Sequence, residues 1–519
     1  LPLESGANCK MNNATGNTVS VWMATFELPG FEKLNASLNT DLCIVGAGIG
    51  GLTTAYLAAR EGRSVVVIDD SRVAGGATAR TTAHLSAALD DEFRHLQTLF
   101  GKEKTHLATE SHYAAIDLIE WIVKQENIDC DFTRVDGYLF KGSNFTLEDL
   151  EEEYMAAGES GAQVFKVSSA PLPTFDTGTA LRFPKMGQFH ILKYIGGLIN
   201  AIQRFGGKIY ENTKGVEFND GPETSVVTSE GHVIKCKNIV VATNSPVNDL
   251  VTMHTKQAPY RTYVVCGIVD KGTVPTALYW DTLENYHYVR LQPRDENSDF
   301  IIIGGEDHKT GQGDDTINHF EELKKWTNER FPVKEYVYEW SGQVMEPVDS
   351  LGFMGRNPAN DNIYIITGDS GHGMTHSTIG AMIITDLISG RENVYAELYD
   401  PARITVKAAK TFMSENLNVG GQYVKGIIKN EIKDESELSP GCGAVMMDGI
   451  RKVAIYKDIH GNISKHSAIC THLGCVVDWN DTEKSWDCPC HGSRFDTDGQ
   501  VMNGPAVSGL KKLEEQPHS

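Results

Sequence analysis

The sequence predicts an α/β protein that ends in a small all-β domain, and three observations predict it. An apolar strand running into glycines, a helix and a second apolar strand follow one another in "DLCIVGAGIGGLTTAYLAAREGRSVVVIDD", residues 41–70. Later, "NIYIITGDSGHGMT" repeats the pattern of a strand running into glycines and is followed by a helix, "STIGAMIITDLISG". From about residue 431 onward the chain breaks into short β-type runs separated by turn residues.

Taken in order, residues 1–39 read as an irregular lead-in. In "GGLTTAYLAAREG" the residues Leu52, Ala55, Tyr56 and Ala59 share one helical face, and Gly62 ends the helix. "SVVVIDD" is the continuous apolar run of a strand buried on both faces, which completes a βαβ unit. Residues 91–128 read as amphipathic helix, and strand-like pieces recur at 207–217, 225–243, 258–270, 286–291, 299–304 and 334–345. After "LYDPAR" the segment 403–430 reads as a helical connector, closed by the charged boundary "NEIKDESELSPG".

A chain of 519 residues has room for two to four domains. Its net charge of −22, with no basic run, argues against nucleic acid or an anionic membrane as partner and suits a small or cationic substrate. No long uninterrupted apolar run predicts a transmembrane helix, and "LPLESGANCK" has neither the charged nor the apolar region of a signal peptide. A soluble protein is expected, cytoplasmic or organellar, and the missing initiator Met is compatible with a lost targeting segment. Sequons at Asn13, Asn35, Asn144, Asn462 and Asn480 do not establish secretion. Four of the ten cysteines crowd between residues 470 and 490, which points to a local metal site rather than a disulfide scaffold.

Gly46-x-Gly48-x-x-Gly51 lies between the first strand and its helix, and Asp69 closes the next strand. Glycines for the tight turn and close approach, a helix N-terminus for a pyrophosphate and a carboxylate for ribose hydroxyls make a dinucleotide site. The stretches "GGATARTTAHL" (75–85) and "TGDSGHGMT" (367–375) resemble segments of the D-amino-acid oxidase/glycine oxidase superfamily of FAD enzymes. The resemblance spans about residues 40–400, with "VVATNSP" between its two ends. It implies FAD, with Thr78, Arg80 and Thr81 at the phosphates, His84 approaching the flavin, and Gly371, Gly373 and Met374 lining it. It also implies an FAD-binding Rossmann-type domain with an inserted antiparallel-sheet substrate domain. The expected unit is 40–402, preceded by an N-terminal extension, 1–39. Its FAD-binding parts are about 40–95, 176–250 and 341–402, and its substrate parts about 96–175 and 251–340. "FIIIGGEDHKTG" lacks the GxGxxG spacing and the helix, so a second dinucleotide unit feeding the flavin from NADH is disfavoured.

"CTHLGC" (470–475) and "CPCHGS" (488–493) supply two thiolates and two imidazoles from two loops, a set that suits a structural zinc. Cys470-x-His472 with Cys488-x-x-His491 also resembles the Rieske family pattern, in which two cysteines hold one iron and two histidines the other iron of a 2Fe-2S cluster. The resemblance implies a disulfide between Cys475 and Cys490, a proline loop at "NGPA" (503–506) and a potential-raising hydrogen bond from Ser493. Phe495 stands where high-potential members carry a tyrosine, so one such bond is missing. The potential expected lies within the approximate −150 to +300 mV span of these centres. This domain is expected over 431–519, after a helical linker at 403–430.

Together the two resemblances imply an FAD-dependent oxidoreductase acting on an amine or amino-acid-like C–N bond, with the cluster relaying single electrons to or from a protein partner. In "ENYHYVRLQP" the side chains of Tyr286, Tyr288 and Arg290 share one strand face, and that of His287 the other. Arg290 is a candidate carboxylate clamp and the tyrosines a candidate amine box, with Arg261 and Tyr138 weaker candidates. His84 and His372 are candidate flavin neighbours, and His84 a candidate for covalent attachment. Two readings stay open beside this one: an electron carrier fed through the cluster by a protein donor, and an oxygenase with mononuclear iron at Asp369, His372 and His376.

Overall fold

In the computed structural model, which describes residues 16–248, 253–283, 285–312, 318–428 and 432–513, the βαβ unit forms the centre of a six-stranded sheet. Leu42–Val45 lies between Val65–Ile68 and Asn238–Asn244, with Lys208–Tyr210 and Ile363–Thr367 outside them, all parallel; Phe353–Arg356 is the antiparallel edge. Every residue of the first two strands is buried, as covering both faces of a parallel sheet requires. The helix Ile49–Arg60 packs on Gly373–Ile388 and Ile191–Arg204. Close approach is possible because small residues face the seam: a Cβ on Gly50 or Gly380 would press against Ile366.

Beside it stands a nine-stranded sheet in the order 335–347, 257–270, 298–309, 287–293, 278–281, 133–140, 180–188, 84–85, with 165–167 paired to 180–188. Its ladders are antiparallel except that of Leu278–Asp281 with Thr133–Phe140. Both faces are covered. Val265, Ile301 and Ile303 pack under the helix His319–Asn328, while Val264, Cys266 and Ile302 face the main core.

The lead-in differs from the irregular segment expected. Val21–Thr25 is a helix capped by the Ser20 hydroxyl, and Trp22 is fully buried with its Nε1 donating to the Thr81 carbonyl at 2.6 Å. The two sheets also divide the chain differently from the expected parts. His84–Leu85, Ala180–Gln188 and the end of Glu335–Pro347 belong to the nine-stranded sheet, because pairing partners distant in sequence, not local pattern, decide which sheet a strand joins.

The helix Ala409–Ile428 leads to the C-terminal domain, built from a three-stranded sheet (442–448, 451–457, 463–467) and a four-stranded one (478–480, 485–487, 494–495, 501–503). Among the described residues no helix is long and apolar enough to cross a membrane.

Candidate active site and cluster site

At the end of Leu42–Val45 the chain turns through Gly46 at φ +107°, where an added Cβ would lie 2.4 Å from the Ala242 carbonyl oxygen. A Cβ on Gly51 would meet the Gly46 carbonyl at 1.9 Å, so both positions exclude any side chain. The turn sets Gly48 at the N-terminus of Ile49–Arg60, where the Thr78 hydroxyl accepts the Ile49 N–H at 3.1 Å. Asp69 accepts the Ala47 N–H at 2.7 Å and two hydrogen bonds from Ser71; burial raises its pKa despite these bonds. A large cavity begins here, between Gly46, Gly48, Asp69, Thr78 and Thr81.

The cavity runs on to Gly371, Gly373 and Met374 at the start of Gly373–Ile388, and to His84, Tyr286 and Tyr288 on the nine-stranded sheet. His84 and Tyr288 meet edge to face, ring centres 5.5 Å apart, and the Tyr288 hydroxyl lies 2.9 Å from Thr262 Oγ1. Burial first, then the Arg290 charge, pushes the His84 pKa down to about 3, so the ring is neutral, and its Nε2 is buried without a hydrogen-bond partner. A glycine turn that a Cβ would fill, a helix N-terminus, a carboxylate at the strand end and an orphaned imidazole nitrogen fit an FAD lying along this cavity.

Four expected residues are placed differently. Arg290, expected to clamp a carboxylate, is fully buried outside the cavity lining; its Nη1 donates to the carbonyls of Thr82, Ala83 and Phe189 and its Nη2 to Gln292, beneath Trp22. Arg80, expected at the phosphates, borders the cavity but turns its guanidinium to Thr18, the Ser341 carbonyl and Glu483. Arg261 is fully buried and pairs with Asp487 at 3.3 Å. Tyr138 stacks on Tyr279 away from the cavity. In each case the side chain's partner comes from a segment distant in sequence. The oxygenase triad does not converge: His376 Nδ1 is 2.9 Å from the Asp369 carbonyl, Asp369 accepts the Met345 N–H, and His372 Nε2 accepts the Asp90 N–H.

The two Cys/His loops are built alike. Gly474 N–H closes on the Cys470 carbonyl and Gly492 N–H on the Cys488 carbonyl, both at 3.1 Å and both glycines at positive φ. Cys470 N–H reaches the Cys475 carbonyl and Cys488 N–H the Ser493 carbonyl, each at 2.8 Å. These matched turns bring buried Cys470 and Cys488 together and set the His472 and His491 rings 5.1 Å apart. A hydrogen bond with Cys488 is the main cause holding the Cys470 thiol down at about 7, while the Cys488 thiol is raised. Cys475 and Cys490 form a disulfide across the loops, and the remaining cysteines and histidines of the two loops are Cys470, His472, Cys488 and His491. Two thiols on one side and two imidazoles on the other fit a 2Fe-2S cluster. Ser493 Oγ also accepts the Ala506 N–H at 3.0 Å, tying the proline loop to the cluster loop, and Phe495 is fully buried.

Sequence reasoning gave no sign that the two sites adjoin. Gln343 borders the cavity, and its Nε2 donates to the carbonyl of Gly492, next to His491, at 3.1 Å. His254 packs edge to face against His472 and His491, ring centres 5.0 and 6.2 Å away. Met502, Asn503 and Gly504 of the C-terminal domain complete the cavity wall, and Lys214 donates to the Val507 carbonyl at 2.6 Å. His491 is 6% exposed and packs against His254 of the cavity domain, while His472 is half-buried. Asp90, Asp307, Gln343, His254 and Glu483 escaped notice because none lies in a motif; only the Asp90-Asp91 pair ending an apolar run offered a signal.

This fold and these two sites define a flavoprotein oxidoreductase joined to an iron–sulfur domain, and comparison with known proteins gives the same answer. The family model for FAD dependent oxidoreductases (DAO) matches residues 41–387, and that for the Rieske [2Fe-2S] domain matches 429–514. The chain belongs to the DAO family of FAD-dependent oxidoreductases and carries a C-terminal Rieske domain; its cofactors are FAD and a 2Fe-2S cluster. It is 33% identical over 95% of its length to YhfW of Bacillus subtilis (strain 168), whose description places it among Rieske 2Fe-2S iron-sulfur proteins, covering 97% of that protein. It is 25% identical over 69% of its length to gamma-glutamylputrescine oxidoreductase of Escherichia coli (strain K12), 86% of which is covered. Glycine oxidase from Geobacillus kaustophilus shares the fold, with a TM-score of 0.58 and 18% identity over 70% of this chain and 99% of that one.

Proposed function

We propose that the protein oxidises a C–N bond of an amine or amino-acid-like substrate and passes the electrons singly, through its own Rieske cluster, to an external protein acceptor. When bound, FAD accepts the two electrons of a C–H bond beside nitrogen and the cluster carries one at a time. In this reading Gly46, Gly48, Gly51 and Asp69 hold the dinucleotide with Thr78 and Thr81. Gly371, Gly373, Met374 and His84 border the flavin, and Tyr288 faces the substrate. Cys470, His472, Cys488 and His491 ligate the cluster. The working units are residues 40–402 and 431–519.

The observation that carries the reading is the contact between sites. Electron transfer slows steeply with distance, and Gln343 borders the flavin cavity while hydrogen-bonding the residue next to a cluster histidine. The outward edge of the same loops, with Thr471 and Leu473 exposed beside half-buried His472, leaves a face for the acceptor. The test is anaerobic mixing with amines and amino acids, following flavin absorbance and the cluster's paramagnetic resonance. Flavin bleaching followed by the reduced cluster signal supports the relay. A flavin reduced by substrate beside a cluster that stays oxidised rejects it.

A further inference from the structure

Amines and amino acids differ at one charge, and the cavity's charge layout discriminates between them. A carboxylate entering a cavity loses its water and needs a cation there. On the side where Tyr286 and Tyr288 line the cavity, no described residue offers one. Arg290 is spent on backbone carbonyls, Arg261 on Asp487 and Arg80 on Glu483. Lys214 lies with Asp69 and Asp70, where it donates to Val507. His84 is neutral, and His372, whose pKa its burial lowers but the Asp90, Asp91 and Asp369 carboxylates raise overall, is spent on Asp90, its Nε2 3.4 Å from Asp90 Oδ1.

What this side offers is carboxyl groups, of which Asp307 is pushed up by burial to about 7 and is held ionised by a cation placed beside it. Asp90 borders the cavity with 33% of its side chain open. Asp307 borders it too, and its Oδ1 is buried with no hydrogen-bond partner. Tyr286 and Tyr288 line the same cavity, ring centres 5.3 Å apart, with faces suited to a cation or an alkyl chain. We infer that the cavity takes an amine cation without a carboxylate on the reacting carbon, its ammonium held by Asp90 and Asp307 and its carbon chain lying along Tyr286 and Tyr288. This rests on the oxidoreductase reading and narrows it to amines.

The test uses protein loaded with both cofactors and two pairs of compounds differing only by an α-carboxylate: butylamine with norvaline, and 1,4-diaminobutane with ornithine. Binding is measured by calorimetry and flavin bleaching is followed separately. At least one amine is expected to bind about tenfold or more tighter than its carboxylated counterpart. Asp307→Asn, or Asp90→Asn if the first variant loses its flavin, is expected to erase that preference. If neither amine binds tighter than its counterpart, or the preference survives both substitutions, the inference is overturned. Amine binding without bleaching keeps the charge inference and removes the oxidoreductase reading. Bleaching by the amino acids alone does the reverse.

Discussion

Arg80 of the flavoprotein domain and Glu483 of the Rieske domain form a buried ion pair, Nη1 to Oε1 at 3.1 Å, with side chains 3% and 0% exposed. Around it Ser341 donates to Glu483 at 2.6 Å, Arg261 and Arg494 pair with Asp487 at 3.3 and 3.0 Å, and Thr18 contacts both members of the pair. Three guanidinium groups meet two carboxylates. Burial, with repulsion from Arg494 and Arg261, therefore outweighs the attraction of Glu483 and lowers Arg80 to about 10, still protonated at neutral pH. A domain interface sealed by buried charges is all-or-none, because removing one charge strands another. Glu483→Gln is expected to cost about 3 kcal/mol of stability, read as a lowered urea midpoint.

The same pair predicts a pH dependence. Burial opposes ionisation of Glu483, but Arg80, Arg494 and Arg261 together outweigh it and hold the carboxyl at about 2, below the ordinary 4.5. A depressed folded-state pKa stabilises above the unfolded value and loses that stabilisation as pH falls through the folded one. The stability gap between the native protein and Glu483→Gln is expected to be full above about pH 5 and to shrink toward pH 2, by about 3 kcal/mol in all. Urea titrations of both proteins at stepped pH check it. A gap constant across that range rejects the assignment.

Gln343→Leu removes the bond to Gly492 while keeping the side chain's bulk. Flavin photoreduction is expected to proceed as in the native protein and the cluster's resonance to be unchanged, whereas the appearance of that resonance after a reducing flash slows several-fold. Freeze-quenched samples give the time course.

How much of this was legible in the sequence follows from how far apart the cooperating residues lie. The Gly46 turn, the Asp69 terminus and the paired Cys/His loops each form within a short stretch, so spacing alone revealed them. The Cys475–Cys490 bridge was readable because it repeats a family pattern. Arg290, read from strand alternation, and Arg80, carried over by resemblance, were placed differently because a side chain's partner is set by tertiary packing: alternation gives a face and a motif gives a position, and neither gives the neighbour. Trp22 seals Arg290 from a lead-in with no periodicity, and Glu483 reaches Arg80 across a separation of 403 residues.

Cys488→Ser removes one of two thiolates on one iron. Iron is expected to fall from two per chain toward zero while bound FAD is retained, because the cavity is lined chiefly by the other domain. Metal analysis beside flavin absorbance checks both halves.

Gly46→Ala tests the dinucleotide turn. At φ +107° any L side chain is strained by about 1–2 kcal/mol. Steric contact costs more: the Cβ would sit 2.4 Å from the Ala242 carbonyl oxygen and 2.8 Å from its carbon, both backbone atoms of a central strand that cannot move aside. The turn must shift instead, and with it the N-terminus of Ile49–Arg60. The variant is expected to fold with lowered stability and to lose FAD during gel filtration. Gly62→Ala is the control: its φ is +86° but nothing lies within 4 Å of the added atom, so it carries the backbone strain alone and retains FAD. The ratio of flavin to protein absorbance after filtration separates them, and equal ratios would mean that the Gly46 turn does not hold the cofactor.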